Sequence, residues 1–154
     1  MANIRSSCSS QKRYFMMGLS AGYHNLDDFR SGKRPCGANE TFWLEQEERM
    51  FAIFKKVIAL GLLPVCGTDA GTGGTRFDET WLELALMVRR GCLSAREAIR
   101  IGTAQSAACL GLTRETGAIG EGLSADLIAL ETDPITCIEA LAHPARVMAQ
   151  GRLV

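Results

Sequence analysis

The chain has 154 residues, a normal size for one domain, and its net charge is zero because 17 basic residues balance 17 acidic ones. Hydrophobic residues make up 47% and charged residues 22%, as in ordinary soluble globular proteins. The lack of a basic excess argues against a nucleic acid or an anionic membrane as partner. No apolar run approaches the ~20 residues of a membrane span.

The apolar stretch Tyr14–Ala21 is short and is interrupted by Gly18 and Ser20. Secretion signals need a longer apolar core of about 7–15 residues. We therefore expect no secretion signal and a cytoplasmic location.

The six cysteines are even in number, but their spacing argues against disulfide bonds. They lie roughly 15–30 residues apart with no CxxC pair, and several sit in apolar segments. We therefore predict free, buried cysteines that behave as small hydrophobic residues, and the spacing does not match a structural zinc site. The positions are Cys8, Cys36, Cys66, Cys92, Cys109 and Cys137.

Residues 1–39 are poorly patterned, and we predict no regular element there. Within Arg30–Asn39, loop chemistry is densest, because Gly32, Pro35 and Gly37 break any helix or strand. Regular periodicity begins at Glu40. We treat 1–39 as an N-terminal segment distinct from 40–112 and from 113–154.

A helix is predicted over Glu40–Leu60, where apolar residues recur at spacings of three, four and seven. Its acidic start and basic end suit the helix dipole, and Gly61 follows as a C-cap. The uncharged apolar run Leu62–Gly67 then predicts a strand buried on both faces in a parallel sheet.

Two further helices follow a glycine-rich loop. The first is predicted over Glu79–Arg90, with its leucines packing inward. Ser94 and Glu97 form a capping box that opens the second, which runs to about Leu110 and ends at Gly111.

After Gly117 the pattern becomes extended. Strands are predicted over Ala125–Leu130 and Arg146–Ala149, with a loop starting at Asp133 and a turn at Gln150. The predicted fold class is therefore α/β with a β-rich tail.

Asp69 is the main candidate for chemistry, because it follows the apolar strand by two residues. Functional groups gather at the carboxyl ends of strands in parallel α/β sheets. A carboxylate there can bind a metal or accept a proton, but an aspartate before glycines is also ordinary turn chemistry. The residues alone leave both interpretations open.

The glycines of the same loop, Gly71, Gly73 and Gly74, could instead cradle a phosphate. The segment TDAGTGGT, at 68–75, matches neither the P-loop, which requires Gly-Lys-Ser/Thr, nor GxGxxG. An α/β phosphate-binding module is therefore a disfavoured alternative.

Five segments, in order along residues 40–154, resemble the amidohydrolase superfamily, in the style of its imidazolonepropionase-like and prolidase-like members. The first, LPVCGTDAG at 63–71, is similar to the family's eighth barrel strand, which ends in Thr/Ser-Asp-Ala/Ser. The next two are similar to its helix followed by Gly and Glu-Ala and to its Thr-x-x-x-Ala-x-x-Leu-Gly helix. The last two are similar to the return to a small β-sandwich and to the C-terminal strand. These four segments lie at 84–98, at 103–112, at 117–127 and, for the last, at 133–134 together with 147–154.

The resemblance implies a fold larger than this chain. Family members have a (β/α)8 TIM-type barrel and a small β-sandwich domain, and a full barrel needs about 250 residues. We therefore expect a C-terminal fragment, with the last strand or two of the barrel and their helices at 40–112 and a sandwich-associated tail at 113–154. A truncated gene product, a partial reading frame and a subunit-like fragment are all compatible with this.

The resemblance also implies a chemistry. One or two divalent metals, usually zinc, activate a water that attacks an amide, lactam or ester carbon. The aspartate that ends the eighth strand ligates metal and moves the proton from water to leaving group, and Asp69 is the matching position. The implied substrate is a small molecule with an amide-type bond. Asp69 is thus the predicted catalytic residue and metal ligand, with no further cofactor-binding residue.

The departures from the family pattern bear on activity. The first-strand His-x-His pair is absent, and no fourth-strand lysine or glutamate can be placed. His143, in Ala-His-Pro, is predicted to lie on the surface, whereas His24 is the single histidine that could lie near the site, as a ligand or as a bystander. Asp69 and His24 alone cannot form a four-ligand site, so we expect the isolated chain to be inactive.

Two partner arrangements follow from this expectation. A truncated barrel would expose strand edges and apolar helix faces, so we expect a homo-oligomer or a complementing N-terminal barrel portion. The alternative function is a non-catalytic α/β fragment or subunit that needs a partner chain.

Overall fold

The computed structural model describes residues 12–33, 40–72 and 74–154, and within them the chain has a mixed α/β architecture with two separate sheets. The sequence predictions for Cys8, Cys36, Gly73 and the loop residues 34–39 lie outside the described residues. Among the described helices, none is long and apolar enough to cross a membrane.

The first sheet is a parallel pair. Strand β1, Tyr14–Met16, pairs with strand β2, Leu63–Val65, with Phe15 opposite Pro64. Strand β2 falls inside the predicted strand, and its parallel pairing confirms the predicted sheet type.

Helix α1 covers Leu19–Arg30, so both β1 and α1 lie in the segment for which we predicted no regular element. That prediction was wrong for these residues. Strand β1 has three residues, and α1 contains Gly22, which weakens a helix. A Cβ at Gly22 would stand 2.8 Å from the Met50 sulfur, so the glycine permits close packing against the next helix. Tertiary contacts, which local sequence patterns do not reveal, stabilise α1.

Helix α2, Glu40–Ala59, ends one residue before the predicted end. Its side chains Phe51 and Phe54 are almost fully buried. They form the core with residues from the neighbouring helices, and the buried apolar members of that cluster are Leu19, Leu82, Leu84, Leu86, Met87, Ala98 and Ile101.

Helix α3, Thr80–Arg89, matches its prediction to within one residue at each end. The predicted third helix is one continuous helical segment that changes its winding. Helix α4 is Ala95–Arg100, a π-helical turn covers Ile101–Gln105, and α5 is Ser106–Leu110.

The ends of this helical segment were predicted correctly. Ser94 and Glu97 form the capping box at its start. Gly111 ends it with a φ of 77°, a left-handed conformation that glycine adopts without strain.

The second sheet is antiparallel and follows in the order β3, Leu127–Ala129, β4, Arg146–Ala149, and β5, Arg152–Leu153. A short 3-10 helix, Ile138–Ala142, separates β3 from β4. The predicted strands and turn are confirmed in this region.

The four described cysteines are free, as predicted, but the prediction that they are buried was wrong. Cys92, Cys109 and Cys137 are exposed, and Cys66 is half-buried. Cys92 follows the end of α3 and Cys137 precedes the 3-10 helix, so neither lies inside a packed element.

Candidate active site

Asp69 lies at the carboxyl end of the parallel strand pair, four residues after the end of β2. Its backbone is left-handed, with a φ of 56°, and its side chain is exposed. The carboxylate makes no hydrogen bond or ion pair with any residue that the structure describes. The side chain is therefore available to a ligand.

Backbone bonds shape the loop around Asp69. The Thr72 amide donates to the Asp69 carbonyl at 3.1 Å, and the Thr75 amide donates to the Thr72 carbonyl at 3.0 Å. The Gly71 amide closes the loop on the Thr75 carbonyl, also at 3.0 Å. The main chain of Asp69 is thus held in a turn while its side chain is not.

The end of β1 meets this loop at Gly18. A Cβ built on Gly18 would lie 3.5 Å from the Asp69 Cβ and 3.5 Å from the Thr68 carbonyl oxygen. The carboxyl ends of both parallel strands therefore converge beside Asp69, which is where α/β proteins place functional groups.

Glu83 is a fully buried carboxylate behind the same loop. Its Oε1 accepts a hydrogen bond from the Leu19 amide at 3.0 Å, and its Oε2 accepts one from the Ser20 amide at 2.8 Å. The Ser20 hydroxyl donates to the Thr68 carbonyl at 3.4 Å. Burial raises the pKa of the Glu83 carboxyl, and the bonds from Ser20 and Leu19 oppose that rise.

Sequence reasoning missed Glu83, although a signal was present. Glu83 is the only charged residue between Thr80 and Val88, in a stretch that otherwise reads as a buried helix face. A lone acid in such a stretch is rarely buried without a partner.

The π-helical turn holds β2 from the other side. The Gln105 side-chain amide donates to the Pro64 carbonyl, and the Cys66 amide donates to the Ser106 hydroxyl at 3.1 Å. The Ser106 hydroxyl in turn donates to the Ile101 carbonyl at 2.7 Å, which spans the widened turn. Strand β2 is therefore tied to the following helical segment by side-chain bonds.

Cys66 is the other reactive residue type near the strand end. Burial, with a smaller contribution from the Glu83 charge, raises the pKa of its thiol to about 12. The thiol is therefore protonated at neutral pH, and because the thiolate is the nucleophilic form, Cys66 is a poor candidate nucleophile.

Neither histidine forms a hydrogen bond or ion pair with Asp69 among the described residues. The His24 Nε2 is 2.8 Å from the Glu79 Oε2, and the Arg76 amide donates to the same oxygen at 2.9 Å. His24 therefore links α1 to the residue before α3. His143 is exposed, as predicted, and follows the 3-10 helix.

Within residues 12–33, 40–72 and 74–154, no group of three or more histidine, cysteine, aspartate or glutamate side chains is close enough to hold a metal ion. The carboxylate of Asp69 can supply one oxygen ligand, since carboxylate oxygens bind zinc and other divalent cations. The role of Asp69 as a metal ligand therefore stays a prediction.

Similar proteins are known at the level of sequence and of structure. A sequence profile described as the Amidohydrolase family matches residues 44–154. Ochratoxinase from Aspergillus niger is 36% identical over 95 residues, which are 61% of this chain and 19% of that protein. A Bifidobacterium longum protein assigned as a prolidase superposes with a TM-score of 0.76 at 32% identity, over 92% of this chain and 35% of that one.

A second solved structure is a Xaa-Pro dipeptidase with methionine bound in its active site. It superposes with a TM-score of 0.74 at 27% identity, over 92% of this chain and 34% of that one. The chain thus spans about a fifth of the length of the curated relative and about a third of these two structures.

Proposed function

Because this chain belongs to the amidohydrolase family, we propose that it forms part of a metal-dependent enzyme that hydrolyses amide-type C–N bonds, with Asp69 as a catalytic and metal-ligating residue. The observation that carries the proposal is the exposed carboxylate of Asp69, which lies at the carboxyl end of a parallel strand pair without a partner among the described residues.

The wider architecture is part of the proposal. We place β1 and β2 as neighbouring strands of a (β/α)8 barrel and the second sheet as part of a small β-sandwich. Support comes from the superposition on about a third of a prolidase-like chain and from the parallel pairing of β1 with β2. The remaining strands and metal ligands would come from the rest of such a barrel.

A single free carboxylate fits a divalent cation such as zinc as one ligand of a larger set. A bound cation of this kind lowers the pKa of water and polarises the carbonyl under attack. Asp69 would accept the proton of the attacking water on a carboxylate oxygen and then deliver it to the leaving nitrogen. A carboxylate beside a cation stays ionised, which keeps Asp69 able to accept that proton.

The names of the similar proteins support a substrate class. One is an ochratoxinase and another a Xaa-Pro dipeptidase. We propose that the substrate is a small molecule with an amide or dipeptide-like bond.

The test uses the longer polypeptide in which this chain is joined to the preceding strands of an amidohydrolase barrel. We expect it to hydrolyse Xaa-Pro dipeptides or N-acyl amino acids, to lose turnover after treatment with a chelator and to regain it with zinc. The isolated chain, assayed in parallel, should show no turnover. Hydrolysis that survives complete metal removal would contradict the proposal.

A second candidate is a non-catalytic chain that needs a partner. The favouring observation is that several large apolar side chains are strongly exposed, which marks interaction surfaces; among them are Leu60, Phe77, Leu110 and Ile119. Sedimentation of the isolated chain as a dimer, together with no turnover by the longer polypeptide, would favour this candidate over the enzyme.

A further inference from the structure

Glu83 is an acidic residue on the buried face of helix α3, where an apolar residue would be expected. Its side chain is fully buried in α3, and desolvation of a carboxylate costs several kcal/mol unless strong bonds offset it. Here both carboxylate oxygens accept hydrogen bonds from the backbone amides of Leu19 and Ser20, in the first turn of α1. The helix dipole favours a negative charge at that end. The carboxylate thus fixes where α1 begins.

The beginning of α1 is in turn connected to the residue before Asp69. The Ser20 amide binds Glu83, and the Ser20 hydroxyl reaches the Thr68 carbonyl at 3.4 Å. Ser20 is itself fully buried, whereas Thr68 is partly exposed. Gly18, two residues earlier, lies beside Asp69, since a Cβ built on it would be 3.5 Å from the Asp69 Cβ.

Asp69 needs support of this kind. Its carboxylate has no partner among the described residues, and its backbone is in the left-handed region. The direction in which its side chain points therefore depends on the main chain at Thr68 and Asp69. The Ser20 hydroxyl contacts this main chain at the Thr68 carbonyl, and the Ser20 amide binds the buried Glu83 carboxylate.

We propose that Glu83 is a positioning residue for Asp69, acting through the first turn of α1 and the hydroxyl of Ser20. The proposal rests on the function proposed for Asp69. It goes beyond that function because it assigns a role to a buried acid that touches neither Asp69 nor a substrate.

The chain offers a matched control for each variant. Glu97 also binds the backbone at the start of a helix, accepting the Ser94 amide at 2.8 Å, but it is exposed at α4. The hydroxyl of Ser31 donates to the Asp28 carbonyl at 3.2 Å, next to the other end of α1. Glu97→Gln and Ser31→Ala therefore make the same substitutions at side chains whose bonds do not involve Thr68, Asp69 or Glu83.

The experiment compares Glu83→Gln and Ser20→Ala with these two controls in the longer polypeptide. Misplacement of a catalytic group by about 1 Å can lower the rate about 100-fold. We expect kcat to fall about 10- to 100-fold in Glu83→Gln and about 3- to 10-fold in Ser20→Ala, with KM changed less than about 2-fold. Both controls should keep wild-type kcat.

A second readout is independent of turnover. The visible absorption spectrum of the cobalt(II)-loaded polypeptide depends on how the ligands of the metal are arranged. We expect the spectrum to shift in Glu83→Gln and Ser20→Ala and to stay unchanged in both controls. A role for Glu83 that is limited to fold stability would lower the melting temperature and leave the spectrum of the folded protein unchanged.

Asp69→Asn, measured in the same series, separates the two proposals. If Asp69→Asn loses turnover while Glu83→Gln and Ser20→Ala match their controls in kcat and spectrum, the positioning role is wrong and the proposed function stands. If Asp69→Asn keeps normal turnover, both proposals fail. If Glu83→Gln does not fold, Ser20→Ala decides, because it keeps the buried acid and both amide bonds to it and removes the hydroxyl, which reaches Thr68 and also interacts with Glu83.

Discussion

Two aspartates of this chain lie in turns beside strands, and the structure uses them differently. Asp126 precedes β3, and its Oδ1 accepts the Gln150 amide at 2.8 Å, which ties β3 to the turn after β4. That bond, with smaller contributions from Ser124 and Thr116, lowers the pKa of the Asp126 carboxyl. Asp69, by contrast, follows β2 and has no side-chain partner among the described residues. A structural acid is recognised here by its bonds, and a candidate functional acid by their absence.

Backbone conformation sharpens the same contrast. Three described non-glycine residues have a positive φ: Asp69, Cys92 and Gln150. Cys92 follows the end of α3, and Gln150 begins a two-residue hairpin turn with Gly151, where this conformation is usual. Asp69 lies in neither setting. Left-handed residues without such a local reason cluster at functional sites.

The largest expected effect concerns metal affinity, and it tests whether the free carboxylate of Asp69 is sufficient alone. Complete zinc sites bind the metal with about 10–16 kcal/mol. Among the described residues, by contrast, no group of three or more potential ligands is close enough to hold a metal, and Asp69 is the one predicted ligand. We expect the isolated chain to bind zinc no more tightly than about micromolar, as measured by titration calorimetry. One zinc per chain that survives dialysis against chelator would contradict this and would require further ligands, with His24 as the first to test.

The next prediction compares two glycines: Gly117, which packs against Ala107, and Gly18, which lies beside Asp69. A Cβ at Gly117 would stand 2.5 Å from the Ala107 Cβ, and the φ of Gly117 is 95°. We expect Gly117→Ala to lower the free energy of unfolding by about 1–3 kcal/mol. At Gly18 the nearest contacts are 3.5 Å, so Gly18→Ala should be neutral or stabilising by up to about 1 kcal/mol.

Chemical denaturation of both glycine variants provides the measurement. Equal destabilisation by the two substitutions would show that the end of β1 is packed more tightly against Asp69 than the structure indicates.

The smallest effect is a pH dependence at Asp126. Because the pKa of its carboxyl is lowered in the folded state, its contribution to stability is present above the unfolded pKa of about 3.9 and is lost as pH falls through the folded pKa. Asp126→Asn should therefore melt slightly below wild type at pH 7, and the difference should close below about pH 4. Thermal melts between pH 7 and about pH 2 check this; a difference that does not shrink as the pH falls below the unfolded pKa would contradict the role.

Local sequence signals predicted much of the fold. The bounds of α2 and β4, the capping box at Ser94 and the end of the following helix at Gly111 are all set by residues close in sequence. Each depends on periodicity, capping or a turn, which sequence reasoning reads directly.

The features that were missed depend on residues distant in sequence. Helix α1 contains Gly22 and is held at its start by Glu83, about 64 residues away. The π-helical turn within the predicted third helix accompanies bonds from Gln105 and Ser106 to β2, about 40 residues away. The position of Asp69 was predicted from its strand, whereas the contacts behind it could not be.

Paired substitution in the longer polypeptide tests most directly whether Asp69 takes part in catalysis and Asp126 only stabilises the fold. We expect Asp69→Asn to lower turnover by about 10²–10⁴-fold, the usual size for a proton-transfer group, with little change in melting temperature, because asparagine tolerates the left-handed turn. Asp126→Asn should keep turnover within about 2-fold of wild type and lower the melting temperature. Near-normal turnover in an Asp69→Asn protein that melts early would show that Asp69 is a turn residue and that the catalytic assignment is wrong.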